Sequence, residues 1–527
     1  MKRWMAPVLA MVLLCGLALT ASETIDSGMN WRIRREAVEH SQVMRLVHRI
    51  ADVHGPRLTG SPALRAACEW SIGQMKEWGL QNAHLGKWDF RYAGWEPGAC
   101  TVRVVSPYQA SLGAMAIAWT PGTNGRVRAG VMQIKLPDRP SQESLTACLE
   151  TVKDGVRGKI VLAGAPEEVP FEWNAPARRL DDSDLRAQFD PDNPAPRGPQ
   201  PPPAPELPTD APRPLETREI EEQIDSFLLA NGALVKMVDA QRPHGQLRVG
   251  VNSRYDASKA IPGIVIRNED FGRISRILAD GIPVEMEIEI ANTLHPEGQN
   301  AFNAVADIPG TDRKEQIVMM GAHIDSWHSG TGATDNATGV AVMMEAVRIL
   351  KKLDARPRRT IRVALWGGEE QGLLGSKAYV EEHFGTFEEP KPDFDNLAAY
   401  VNLDSGTGRV RGAFVFGPPE AASVLRRIFE PFRDLGVVGA NAVKTRSYGI
   451  TDSTSFNHAG LPGIYLTQDP IEYTTHSWHT DLDTYERALE GDLIQCATVV
   501  ASTVYHLAMR DALLPRFDTN SMPPKNP

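Results

Sequence analysis

The residues of this chain that can do chemistry are concentrated between positions 321 and 376, where His323, Asp325, Asp335 and the adjacent pair Glu369 and Glu370 fall. Imidazole nitrogens and carboxylate oxygens together form the ligand set that suits zinc. Further along, Asp404 and His479 offer one more donor of each kind. One catalytic zinc asks for about three protein ligands plus water. Two histidines and three carboxylates, one of them bridging, supply three ligands to each of two ions about 3.5–4 Å apart. An adjacent Glu-Glu pair suits a division of labour, in which one carboxylate holds metal while its neighbour acts as general base. Asp325, two residues after His323, can hydrogen-bond the imidazole and fix its tautomer.

These donors need elements that bring them together. Each follows a short apolar run of strand length: 317–320 before His323, 361–366 before Glu369, 400–403 before Asp404 and 463–466 before His479. From about 300 to 511 such runs alternate with helical patterns, which predicts an α/β domain with a mostly parallel sheet and helices on both faces. Sites in open α/β sheets form outside the carboxyl ends of the strands, so donors far apart in sequence can converge there. Asp335 joins from the Gly-rich loop 329–332, just ahead of a helix predicted over 339–351. Val340, Met343, Met344, Val347 and Leu350 give that helix one apolar face.

The chain before this core divides in two. Residues 23–108 read as a helical segment, with Leu64, Ala67, Cys68, Ile72 and Met75 at helical spacing and Gly79 as C-cap, followed by strands near 83–91 and 101–105. Residues 109–290 carry a strand within 156–164. A helix end, an Asn231-Gly232 turn and a strand follow over 226–238, and then a strand and helix over 261–278. The Pro-rich run 191–214 cannot sit inside a helix or sheet and reads as a surface loop. Residues 512–527 read as a disordered tail.

At 527 residues the chain has room for two or three domains, and its net charge of −10 argues against a nucleic-acid partner. Lys2 and Arg3, the apolar run 6–19 and the small residues Ala21 and Ser22 form a signal-peptide pattern over 1–22. Export to the outside or the periplasm follows, with no membrane span in the mature protein. Cys15 raises the further question of lipid attachment. Cys68, Cys100, Cys148 and Cys496 allow three disulfide pairings, and their lack of CxxC spacing argues against a cysteine zinc site; buried single thiols are favoured in a chain this large.

From about 300 to 490 the segments GAHIDS, GATDNATG, GGEEQGLLGS, NLDSG and SWHTDLDTY resemble, in order and spacing, the co-catalytic di-zinc exopeptidase family. That family contains secreted zinc aminopeptidases, plasma glutamate carboxypeptidase and glutamate carboxypeptidase II. The segments HIDSW and LWGGEEQG look most like the plasma glutamate carboxypeptidase branch. The resemblance implies two Zn2+ ions held by His323, Asp335 (bridging), Glu370, Asp404 and His479, with Glu369 as general base and Asp325 orienting a ligand. It further implies hydrolysis of short peptides or dipeptides by a zinc-bound water. HGPRLTGSPAL is similar to the family's N-terminal segment, and VRGKIVLAG, ANGALVKMV and IPGIVIR resemble an inserted, β-rich protease-associated domain within 109–290. The catalytic core would then be 291–511. His476 rivals His479, but the spacing of His479 to Asp483 and Thr484 favours the latter. His328, His458 and Trp327 read as pocket-wall or packed residues. Asp452, in YGITDSTSF, departs from the family's pattern and reads as support for a ligand. Two other readings stand beside this one: a single-zinc acyltransferase like glutaminyl cyclase, and a non-catalytic receptor-like protein. Aminopeptidase, carboxypeptidase and dipeptidase remain open, as does a homo-oligomer.

Overall fold

A computed structural model describes residues 24–171, 173, 178–192 and 212–525. The signal-peptide pattern with Cys15, and the Pro-rich residues 193–211, lie outside the described residues.

The core is an eight-stranded sheet in the order Gln81–Asp89, Asn300–Ile308, Arg359–Trp366, Arg313–His323, Leu397–Leu403, Gly463–Gln468, Val410–Phe416, Gly439–Val443. Its middle four strands are mutually parallel. Antiparallel neighbours close both sides, and a further parallel pair forms the far edge. The four parallel strands are those that read as continuous apolar runs, as strands buried on both faces must. Their carboxyl ends share one edge of the sheet, and His323 is itself the last residue of its strand.

Helices cover both faces, as expected. On one face Thr338–Lys352 lies against Glu490–Met509 and the N-terminal helices Ser27–Glu39 and Val43–His48. On the other, Leu374–His383 and Ser453–His458 enclose Trp366, Tyr379, Tyr400 and Phe456. The helix expected over 339–351 departs from its predicted one-sided burial, since every residue from 338 to 350 is buried. Sheet below and helices above leave it no water-facing side. The two charged residues within 338–350 are satisfied internally: Arg348 bonds Glu345 at 2.8 Å, and also Glu36 at 2.7 Å, so the buried cation is held between two carboxylates.

A second eight-stranded sheet runs Ala110–Ser111, Cys100–Ser106, Glu285–Ile290, Val127–Ile134, Ile160–Ala163, Val235–Asp239, Gly263–Ile266, Ala114–Ala116. It carries helices of its own, Gln142–Val152, Thr217–Ala230 and Asn268–Ala279, and Asn231-Gly232 turns the second of these into its strand. In the N-terminal part, the helix Pro62–Glu77 starts where the Ser61 side chain accepts from the Leu64 N–H, and Gly79 follows its end at φ +83°.

The tail corrects an expectation. Rather than hanging loose, it packs: Leu514 is buried, Phe517 meets Phe416 edge-on, and the Pro523 carbonyl accepts from Arg446. Cys68, Cys100, Cys148 and Cys496 are all unpaired thiols, the first and last buried. Among the described residues no helix is long and apolar enough to cross a membrane.

Candidate metal centre

The carboxyl edge of the parallel strands delivers the donors. Glu369 and Glu370 follow the strand Arg359–Trp366 across a Gly367-Gly368 turn, and Asp404 follows Leu397–Leu403. Asp335 sits in an irregular turn at φ −128°, joined to Asn336 by a cis peptide, and His479 lies in a later loop at φ +60°. His323 Nε2 is 3.2 Å from Asp335 Oδ1 and 3.3 Å from Asp404 Oδ1. His479 Nε2 is 3.4 Å from Asp335 Oδ2 and 3.1 Å from Glu370 Oε2. The two oxygens of one aspartate thus face the two imidazoles, with a second carboxylate beside each. Glu369 comes close as well: donor atoms of His323, Glu369 and Asp404 lie within 4.8 Å of one another, as do those of His323, Asp335 and Glu370. His476 is not part of this group, and its Nδ1 lies 3.0 Å from Thr475 Oγ1.

Asp325 does more than expected, and by a different route. Its backbone carbonyl, not its carboxylate, is the hydrogen-bond partner of His323 Nδ1, at 3.0 Å, while the carboxylate stands 3.5 Å off. A carbonyl only accepts, so Nδ1 carries a proton, and Nε2, which faces the carboxylates, is the nitrogen that can offer a metal its lone pair. The Asp325 carboxylate instead accepts from the N–H groups of Glu369 and Glu370, both at 3.2 Å. One residue therefore fixes the tautomer of one donor and the backbone of two others. Asp325→Asn puts an amide NH2 against one of those N–H groups. Zinc affinity is expected to fall about 10–100-fold, read by competition with a chelator. Unchanged affinity would show that the turn holds without it.

Three supporting residues escaped the sequence reading. Arg57, fully buried, donates to the carbonyls of Ile324, Thr331 and Gly332 and so shapes the loop between His323 and Asp335. Gly332 is required there: at φ +63°, a Cβ would stand 2.3 Å from that of Ser326. Asp483, used above only as a spacing landmark, accepts from the N–H and hydroxyl of Thr334 and the N–H of Asp335. The Tyr473 phenol lies against Asp335 and, after the two histidines, helps hold its carboxylate low. Arg57 and Asp483 both stand inside segments already singled out, but their roles are set by loops that only the fold brings alongside.

The electrostatics call for cations. Burial, then the neighbouring carboxylates, push Glu369 and Glu370 well above the usual range, the His323 imidazole only partly offsetting this. Burial raises Asp452 and Asp483 to about 7. Burial alone would lower the basicity of His323, yet Asp404, Asp325 and Asp335 raise it well above normal. Burial would raise Asp335, but the two histidines bring it below its ordinary value. Buried oxygens of Asp335 (Oδ2) and Glu370 (Oε1) have no hydrogen-bond partner among the described residues. Unpaired buried carboxylate oxygens beside two imidazoles fit zinc ions. Asp452, also buried with both oxygens unpartnered, lies within the field of these acids.

The second sheet reaches into the centre. The Val249 N–H donates to the His479 carbonyl at 2.9 Å, and Leu247 and Asp481 exchange backbone and side-chain bonds at 3.0 and 2.8 Å. Trp478 stacks on the His479 ring at 4.0 Å, and Trp327 meets it edge-on at 6.1 Å while also abutting Trp119. His328 is wedged against Trp95 with Nε2 bonded to the Ala116 carbonyl, and burial lowers it to about 4. It is therefore a neutral packing residue. His458 is exposed, 3.4 Å from Ser447 Oγ.

Residues 303–504 match the profile of Peptidase family M28. Carboxypeptidase Q of Mus musculus is 26% identical over 470 residues, covering 89% of this chain and 86% of the relative. Leupeptin-inactivating enzyme 1 of Streptomyces exfoliatus is 30% identical over 179 residues, 34% of this chain and 38% of the relative. In fold, the chain is similar to a peptidase M28 precursor from Shewanella amazonensis, with a TM-score of 0.67 at 22% identity over 94% of this chain and 99% of that one. It is also similar to a zinc aminopeptidase from Bacillus subtilis, with a TM-score of 0.56 at 18% identity over 91% and 98% of the two chains.

Proposed function

We propose that this chain, a zinc-dependent exopeptidase of the co-catalytic M28 type, is an exported enzyme that hydrolyses dipeptides and other short peptides, with Glu369 as its general base. The observation that carries this reading is the Asp335 carboxylate, whose two oxygens face His323 and His479 separately. In the proposal one ion is held by His323, Asp404 and Asp335, the other by His479, Glu370 and Asp335. Zinc bound there supplies Lewis acidity that polarises a carbonyl and brings the pKa of water toward neutrality.

The chain's residues do the rest. Glu370 is committed to the side of His479, so its neighbour Glu369 is left to take a proton from attacking water and deliver it to the leaving amine. The Asp325 carboxylate holds both backbone N–H groups of that turn, which keeps the base and the ligand in fixed relation. Asp483, Tyr473 and Arg57 hold the Asp335 loop from three sides. Export rests on the pattern in residues 1–22. The second sheet, which lies within 109–290 except for its strand Cys100–Ser106, is read as the inserted protease-associated unit.

The test uses purified protein. Cleavage of free dipeptides should vanish on chelation and return with zinc, with about two ions bound per chain by metal analysis. Activity indifferent to a chelator would overturn the peptidase mechanism, and full activity with one ion per chain would favour the acyltransferase-like, single-zinc alternative.

A further inference from the structure

Arg248, in a loop of the second sheet, lies beside the metal centre, and Arg242 lies near Arg248. Arg248 pairs its backbone with Thr480, next to His479. Its guanidinium lies over the Trp478 ring, 5.4 Å from the centroid, and that ring stacks on His479 at 4.0 Å. Neither Arg248 nor Arg242 forms an ion pair among the described residues. Arg242 Nε is buried without a hydrogen-bond partner, and its guanidinium is held below its usual value by burial and by Arg248. Asp481, next to Thr480 in sequence, accepts from the Leu247 N–H through Oδ1. Between the arginines in sequence, Gln246 is 2% exposed with both amide atoms unpartnered.

We propose that Arg248, supported by Arg242, binds the free C-terminal carboxylate of the substrate and makes this enzyme a reader of the carboxyl end, a dipeptidase or carboxypeptidase. The proposal rests on the metallo-exopeptidase reading above.

Three arguments support it. The first is chemical. A guanidinium presents parallel N–H donors that match a carboxylate in a fork, and a ring beneath it fixes its plane. The second is electrostatic. The carboxylates Asp325, Asp335, Glu369, Glu370 and Asp404 are matched by the two proposed zinc ions, so a substrate carboxylate beyond the scissile bond needs a cation of its own outside that set. Arg248, without an ion-pair partner among the described residues and set over the Trp478 ring that stacks on His479, is that cation. The third is reach. One extended residue spans about 3.3–3.6 Å, so a carboxylate one or two residues beyond the scissile bond arrives within the distance set by the His479–Trp478–Arg248 stack. Because Val249 also ties the His479 carbonyl, the residues that would read the substrate sit on the segment that steadies a proposed ligand.

The experiment compares zinc-loaded wild type, Arg248→Gln and Arg248→Lys on free dipeptides, the same dipeptides as C-terminal amides, and amides carrying a Glu side chain at the second position. Wild type should prefer the free acid in kcat/KM by about ten- to hundredfold, the worth of a charge-assisted pair. Arg248→Gln should bring the acid-to-amide ratio close to one, mainly through KM, and Arg248→Lys should restore part of it. An unchanged ratio in Arg248→Gln overturns the proposal, and so does a preference that follows the Glu side chain rather than the terminus. Calorimetry of the acid and amide with zinc-loaded Glu369→Gln protein, with and without Arg248→Gln, reads the same discrimination as affinity. If wild type cleaves no peptide at all, the peptidase reading falls, and the calorimetric comparison still decides for or against the arginine.

Discussion

Glu369→Gln protein should bind its two zinc ions normally and turn over dipeptides about 10²–10⁴ times more slowly, the usual worth of a general base. The side chains are nearly isosteric, so the turn held by Asp325 has no reason to move. The amide, however, cannot accept a proton. The loss should therefore fall on kcat with KM little changed, because the interaction removed is made in the transition state. The geometry adds a sharper condition, since Glu369 lies within donor distance of His323 and Asp404. Were it a ligand rather than a base, the substitution would release zinc, and metal analysis of the variant would show it. Full zinc with lost turnover supports the base. Near-full turnover with full zinc would sink the assignment.

Asp335→Asn should fail differently. An amide offers one oxygen and an NH2 donor in place of two acceptors, so either orientation withdraws the shared ligand from His323 or from His479. Zinc content should fall below two ions per chain after gel filtration, and turnover should fall to background. Stability supplies an independent reading. Zinc that binds the folded state raises Tm by mass action, so wild type should gain more from added zinc than the variant does. Without zinc the difference should narrow to what Asp335 itself contributes, since its carboxylate is held below its ordinary range by the two histidines and so still favours the folded state. A variant that keeps two tightly bound ions would overturn the bridging role.

The contrast between what could and could not be read in the sequence follows from how local each feature is. Strands such as Leu397–Leu403 are buried on both faces and show as unbroken apolar runs, and the donors at their ends show by position alone. The helix Thr338–Lys352 was legible as a helix but not in its full burial. A 3.6-residue pattern picks out the strongest face, whereas Ala341, Val342, Ala346 and Ile349 fill the others. Asp325 was found by its spacing, yet its hold on the Glu369-Glu370 turn depends on which way two backbone N–H groups point. No residue pattern records that. The tail misled because Phe517 and Met522 dock singly into aromatic gaps, without periodicity to announce it. Arg248 left no mark because a lone arginine in a loop is ordinary until the fold sets it over Trp478.

The backbone bond from Val249 to His479 has a consequence for how the enzyme comes into being. The donors that end on the parallel strands can be arrayed as soon as that sheet forms. His479 cannot, because its loop is braced by a stretch of chain made long before it and belonging to the other sheet. With His479 as a zinc ligand, as proposed, completion of the centre is tied to the folding of both sheets. Were the proposed export to carry the chain across a membrane unfolded, such an interlock would spare the cell that makes it, with no separate inhibitor to remove.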